Sequence, residues 1–593
     1  MTRTLAVLLL TAAAVTLLAQ QKAKVAAKGI DDAALKAAGK TDAASREWIT
    51  YGGNYSETRY SPLKQIDAAN VSRLGLAWSF KTESPQGGRI EATPIMYNGV
   101  LYATLAWDVV VAIDARTGKS KWRWDPEIPR QRIPQLCCGP VNRGVAIYKG
   151  RVYAGLLDGT VVALDQETGK VVWRVKDTFN EDTMLTAAIR IVKGKVIVGS
   201  AGAEQAVRGY FSAYDAATGK RLWRFYTVPG DPSKPFENPE LAAAAKTWTG
   251  EWWKMGGGGT VWDGMAYDPE ADLLYIGTGN GGPWNQNLRS PQGGDNLYIA
   301  SILAVKPDTG KLVWYFQETP GDTWDFTSVQ PMILADLTIQ GKPRKVLMHA
   351  PKNGFFYVID RITGQFIHGD KFVKRMTWAT GLDAKGRPIE AKGARFTTNP
   401  VSVSPGPAGA ANWQAMSFNP ATKLAYLPGQ EGSFVYSPLD SKEFTFKPGG
   451  LNTGVIGLNG PFNKMGGTGA ASRLSPHEPE GAENQPKASG GFLVAWDPIA
   501  NKERWRVNNL GGLGGGGTVT TAGNLVFHGS TAYNAETGAK VWEMNLGGTY
   551  CTPISYELDG KQYIAIVARS YPNDRLFVFA LDAKEPLPEM SAR

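Results

Sequence analysis

A pattern Ala-x-Asp-x-x-x-Gly-x-x-x-Trp recurs along the chain, and a repeat of this size leaves few folds open. It reads Ala112, Asp114, Gly118, Trp122, then Ala163, Asp165, Gly169, Trp173, then Ala213, Asp215, Gly219, Trp223. It returns as Ala304, Lys306, Gly310, Trp314. Weaker copies run through Asp360, Gly364 and His368 in the Trp place, and through Ala495, Asp497 and Trp505. The last is Ala532, Asn534, Gly538, Trp542. Trp122, Trp173 and Trp223 stand 51 and 50 residues apart, close to the period of a propeller blade. Within each copy an alternating apolar run such as Val161-Val162-Ala163-Leu164 predicts a strand, Asp-x-x-Thr-Gly-Lys a turn, and the Trp the opening of the next strand. One four-stranded blade cannot bury both faces, so Trp-bearing blades must stack on their neighbours.

The chain ends complete the ring. Leu76-Ala77-Trp78-Ser79-Phe80 reads as a Trp-led outer strand with no earlier strands of its own, and Leu576 to Asp582 as the strand that should precede it. Their pairing predicts an all-β, eight-bladed propeller with no free sheet edge at the joint. Two places break the period. The Gly-, Pro- and Asn-rich stretch 437–489 reads as an insertion in the seventh blade, counting the Trp78 blade as the first. Only 37 residues separate Trp505 from Trp542, so the eighth blade is trimmed.

Met1-Thr2-Arg3 followed by an apolar run from Leu5 to Ala19 has the form of a secretory signal, short for a spanning helix. The expected division is a signal peptide at 1–20 and a single propeller domain at 21–593, exported to the periplasm with no membrane span in the mature form. The net charge of +10 is dispersed, with no Lys/Arg run of the kind that tracks phosphates, which argues against nucleic acid. The three cysteines include the adjacent pair Cys137-Cys138. On spacing alone these are two buried thiols, or one of them pairs with Cys551, because a ring between neighbours distorts the peptide.

Cys137-Cys138-Gly139-Pro140-Val141-Asn142-Arg143-Gly144 resembles the vicinal-disulfide segment of the pyrroloquinoline-quinone (PQQ)-dependent alcohol dehydrogenases, the methanol and ethanol dehydrogenases, which are also eight-bladed propellers. The resemblance covers nearly the whole mature chain. It implies that a Cys137–Cys138 disulfide packs on one face of the quinone and Trp262 on the other. Arg143 then pairs with a cofactor carboxylate, Thr186, Thr260, Glu91 and Asn412 are further contacts, and Lys352 lies beside the reactive oxygens. The segment Gly202-Ala203-Glu204 brings cofactor contacts and a calcium ligand, Glu204; Asn280 is an amide ligand. Asp325 is both a ligand and the catalytic base, taking the alcohol proton as hydride passes to the quinone. Lanthanide-using relatives carry an Asp two residues beyond the base, where this chain has Thr327, so calcium is the expected metal. Asp322, the rival carboxylate, reads as a turn residue.

The chain departs from the family pattern at Gly514, where a Trp is usual, and at Ala201, where a Ser is common. These departures bear on cofactor tightness. The 593 residues contain no Cys-x-x-Cys-His, so no covalent haem is expected and electrons would pass to a separate periplasmic cytochrome c. The segment Asp295 to Ile302 nevertheless resembles the quinohaemoprotein branch. Two other readings share the repeat: a quinoprotein glucose or polyol dehydrogenase, whose members generally lack the adjacent cysteines, and a non-catalytic scaffold, which needs no Glu204, Asn280 or Asp325.

Overall fold

The computed structural model describes residues 29–588 apart from 42, 85–88, 137, 448, 459–474, 512–514 and 570–572. The expected signal segment, Cys137, Gly514 and the middle of the insertion lie outside the described residues.

Eight antiparallel sheets follow one another around an axis. The second to sixth blades have their strands within 95–124, 146–176, 190–226, 265–317 and 333–371, the seventh within 417–510 and the eighth within 518–543. The first blade takes its inner strands from 554–581 and its outer strand from Leu74–Lys81, which pairs antiparallel with Arg575–Leu581 and sets Trp78 opposite Val578. The ring closes as the sequence predicts. Burial falls from the axis outward: all but the last residue of Thr160–Asp165 is buried, whereas its outer neighbour Val171–Lys176 alternates exposed and half-buried positions. An inner strand has a sheet on each face, and an outer strand has solvent beyond it.

The repeat is a docking device between blades. In each regular copy Ala faces Trp across the outer strand pair, as in Ala163 with Trp173 and Ala213 with Trp223. The Trp ring then lies over the turn Gly of the following blade. A Cβ on Gly169 would stand 2.6 Å from Trp122 Cε3, and one on Gly118 2.6 Å from Trp78 Cε3. The indole N–H donates into the same turn, from Trp122 to the Gln166 carbonyl at 3.0 Å and from Trp78 to the Ala115 carbonyl at 3.1 Å. Gly is needed there twice over, for the space and for φ near +69° at both positions. The weak copy in the sixth blade keeps the joint by a paired change. His368 takes the Trp register opposite Val358, and the Gly position of the next turn is Asn501, also at positive φ (52°). His368 lies against Asn501.

Two features were not legible in the sequence. Tyr60–Ser61 adds a fifth, parallel strand to the eighth blade, pairing with Thr520 and Thr521, so the trimmed blade regains width from the N-terminal segment. That segment also crosses the axis: the carbonyls of Tyr55, Ser56 and Thr58 accept from Tyr267, Leu334 and Phe418 on inner strands of the fifth, sixth and seventh blades. The chain between the strands Leu424–Glu431 and Gly490–Asp497 of the seventh blade opens with the strand Phe434–Tyr436, which pairs with Val401–Val403 ahead of the stretch 437–489. No helix among the described residues is long and apolar enough to cross a membrane.

Candidate active site

The blade topology gathers residues far apart in sequence. Glu91, Arg143, Thr186, Trp262, Asp325 and Asn412 each stand a few residues before the innermost strand of a blade. Glu204, Asn280 and Lys352 each stand just after a second strand. First and second strands run antiparallel, so the entry to one and the exit from the other open on the same face of the ring. There they line a cavity of about 380 Å³.

One wall is cationic and aromatic. Arg143 is buried and donates to Glu91 Oε2 at 2.7 Å, to Thr186 Oγ1 at 3.1 Å and to the Trp262 carbonyl at 3.0 Å. Its guanidinium carbon lies 4.7 Å from the centroid of the half-buried Trp262 ring. Burial works against its charge, but Glu91 and Asp263 outweigh burial and raise its pKa. Its Nε has no hydrogen-bond partner among the described residues, the nearest acid being Asp263 at 3.7 Å.

The opposite wall is acidic. Gly202 takes φ 109° ahead of the single turn Ala203–Gln205, where a Cβ would come within 2.8 Å of Val207. This turn aims Glu204, whose Oε1 accepts from Asn280 Nδ2 at 2.9 Å and from Trp284 Nε1 at 3.0 Å. Asp325 adopts φ 64° and takes the Lys352 ammonium on Oδ2 at 2.8 Å. Burial raises the Asp325 pKa well above the usual carboxylate range; Lys352 opposes the shift, while Glu204 and Asp322 add to it. Burial also opposes the Lys352 charge, but Asp325 outweighs it and raises the ammonium pKa.

Of the residues expected from sequence, Glu91, Cys138, Arg143, Thr186, Gly202, Glu204, Thr260, Trp262, Asn280, Asp325, Lys352 and Asn412 all line this one cavity. Ala203 does not: it is buried behind the wall, its carbonyl packed against Gly282. The expected Cys137–Cys138 disulfide falls on a residue outside the described ones. Among the described residues no disulfide forms, Cys137 being outside them, and Cys138 stands exposed at the cavity. Cys551 is a buried free thiol that donates to the Ile90 carbonyl at 3.2 Å, so it does not pair with Cys138. Asn412 is half-buried and ties its own loop, donating to the Ala408 carbonyl at 2.8 Å.

The sequence reading missed Arg569, Met184, Leu451 and Thr453, which also line the cavity. Arg569 ends the second strand of the first blade, the position that supplies Glu204, Asn280 and Lys352 in other blades, and this equivalence was the available signal. It lies over Trp413 and 3.7 Å from Glu91. Leu451 and Thr453 come from the seventh-blade insertion, which has no repeat to align. Asn452 between them bonds the Glu204 carbonyl through its backbone N–H at 2.9 Å and its side chain at 3.1 Å.

The donor set fits a flat polyanion with a hard cation. Arg143 with an unused buried donor, Arg569, Thr186, Thr260 and Lys352 offer cations and hydroxyls, and Trp262 offers a planar face. Glu204, Asn280 and Asp325 offer oxygen donors without nitrogen or sulfur, as calcium prefers. Two buried carboxylates with Lys352 as their shared cation are also a site that a divalent ion would relieve.

Residues 48–374 and 390–564 match the family described as glucose/ethanol/alcohol dehydrogenase, β-propeller domain. The chain is 49% identical over 588 residues to quinohemoprotein alcohol dehydrogenase ADH IIB of Pseudomonas putida, covering 95% of this chain and 81% of that one. The crystal structure of quinohemoprotein alcohol dehydrogenase from Comamonas testosteroni superposes with a TM-score of 0.85 at 44% identity, covering 95% of this chain and 84% of that one. A europium-containing methanol dehydrogenase superposes at 0.79 with 32% identity, covering 91% and 99%. The chain belongs to the PQQ-dependent alcohol dehydrogenase family.

Proposed function

We propose that the protein oxidises a primary or secondary alcohol to the aldehyde or ketone in the periplasm, using PQQ and calcium, and passes electrons to a separate cytochrome c. The observation that carries this reading is the buried Lys352–Asp325 pair at 2.8 Å on the same cavity wall as Glu204 and Asn280. When bound, the quinone supplies the two-electron sink and calcium supplies Lewis acidity at its carbonyl. The protein holds the reactants. Arg143, with Thr186 and Thr260, would receive the carboxylates of the cofactor, and Trp262 would offer it a stacking face. Glu204, Asn280 and Asp325 would hold the cation. Asp325 would accept the hydroxyl proton on a carboxylate oxygen. Thr327, in place of an acidic residue, favours calcium over a trivalent ion. The apolar run after Arg3 supports export.

The test is dye-linked oxidation by purified protein with PQQ and calcium, across methanol, ethanol, longer alcohols and glucose, with Asp325→Asn as control. Alcohol turnover that needs both additions and vanishes in the control is expected. Restoration by lanthanum but not calcium would overturn the metal assignment, preference for glucose would overturn the substrate class, and failure to bind PQQ would overturn the whole reading. Reduction of cytochrome c and the N-terminus of the exported protein check the acceptor and the compartment.

A further inference from the structure

Asp325 sits in the left-handed region, φ 64°, where a non-glycine residue persists only if its surroundings hold it. Asp322, three residues earlier, is fully buried, and its Oδ1 accepts the backbone N–H of Trp324 at 3.1 Å and of Phe326 at 2.9 Å. These are the amides on either side of Asp325. We infer that Asp322 is a positioning residue for the reaction, a carboxylate whose one oxygen pins the backbone on both flanks of Asp325 and so fixes the direction of the base. The inference rests on the reading of Asp325 as that base.

The pin is itself anchored. Arg289, also fully buried, donates to the Asp322 carbonyl, to the carbonyls of Pro283 and Trp284, and to Asn296 Oδ1. Space for its guanidinium exists because residue 281 is glycine: a Cβ there would fall 2.2 Å from Arg289 Cζ. Gly281 follows Asn280, and Trp284 donates to Glu204. Arg289 therefore links the backbone of the Asp325 loop to the segment that carries the other proposed cation donors. Trp324 is held from outside as well, its carbonyl by the Tyr436 hydroxyl at 2.8 Å and its indole N–H by the Ala394 carbonyl at 3.0 Å. With both neighbours fixed, Asp325 has little freedom left except at its side chain.

Oδ1 carries both amide bonds, Oδ2 makes none within hydrogen-bond distance among the described residues, and the carboxylate's charge also acts on the buried Arg289 guanidinium. The pin itself needs one acceptor oxygen and no proton transfer at Asp322. Asp322→Asn keeps that oxygen, and Asp322→Ala removes it. In the PQQ- and calcium-loaded enzyme, Asp322→Ala is expected to lower kcat by about 10²-fold, the scale of a base displaced by about 1 Å. KM for the alcohol and PQQ affinity should stay within about threefold, as expected when an interaction of the transition state alone is lost. Asp322→Asn is expected to keep kcat within about threefold of the parent, since the acceptor survives. An Asp322→Asn enzyme as inactive as Asp325→Asn would overturn the inference, because Asp322 would then act by its charge or as the base. Full kcat in Asp322→Ala would overturn it equally. If Asp322→Ala does not fold, Asp322→Ser replaces it, with a shorter acceptor: kcat below that of Asp322→Asn is expected, and equal kcat overturns the inference. Asp325→Asn, assayed alongside, separates the two questions: activity surviving there removes the base assignment itself, whatever Asp322 does.

Discussion

Lys352 Nζ lies 2.8 Å from Asp325 Oδ2, and both side chains are buried in the cavity wall. The ammonium is the cation that lets two carboxylates, Asp325 and Glu204, face one cavity. Lys352→Met removes the group that holds Asp325 Oδ2 in place, so kcat should fall by about 10²-fold, the scale of a displaced catalytic group. Lys352→Arg, which keeps the charge, should fall less. Steady-state oxidation of one alcohol by the three forms checks the order.

The Trp–Gly joints set stability. Trp122→Ala should destabilise by somewhat less than about 3–5 kcal/mol, the loss for a fully buried large aromatic, since Trp122 is half-buried. Gly169→Ala should cost about 1–3 kcal/mol, since the new methyl meets Trp122 at 2.6 Å and φ is +69°. Urea unfolding midpoints measure both. Because the joint lies on the outer strands, PQQ affinity should change far less.

At the sixth joint, His368 and Asn501 replace Trp and Gly together. His368→Trp alone should lose about 1–3 kcal/mol by overpacking against Asn501. Adding Asn501→Gly opens the space, so the double variant should recover by about 0.5–3 kcal/mol relative to the sum of the single changes. Additive losses in the unfolding cycle would show that the two positions do not share a joint.

His528, in the trimmed blade, is buried with Nε2 unpartnered, and burial lowers its pKa from 6.5 to about 4. The unfolded chain binds a proton near pH 6.5 that the folded protein refuses until about pH 4. Its contribution to stability is therefore full above pH 6.5 and is lost as pH falls from 6.5 towards 4. The loss is on the order of 3 kcal/mol by the linkage relation. Unfolding free energy measured across that window should be flatter in His528→Gln than in the parent.

The sequence by itself determined the ring. The Ala–Asp–Gly–Trp spacing is local: Ala and Trp are partners across one hairpin, and the Gly serves the adjacent blade, so each contact leaves its mark within about one period. Closure was legible for the same reason, since Trp78 lacked a blade and the strand ending at Leu581 lacked an outer partner. The residues now found on one cavity were named by family resemblance, because no periodicity distinguishes Glu204 or Asn280 from ordinary turn residues.

Only the tertiary structure decided how those residues meet. Arg143 joins Glu91 to Trp262 across 171 positions of chain, and no local pattern records such a contact. Leu451 and the strand Tyr60–Ser61 were unreadable because each acts on a partner hundreds of residues away or belongs to an unrepeated segment. Asp322 was legible as a turn residue, but its work on the two amides around Asp325 was not. A propeller makes this division physical. Nearest-neighbour packing builds each blade and its joints, while the face of the ring assembles loop ends that share only a distance from the axis.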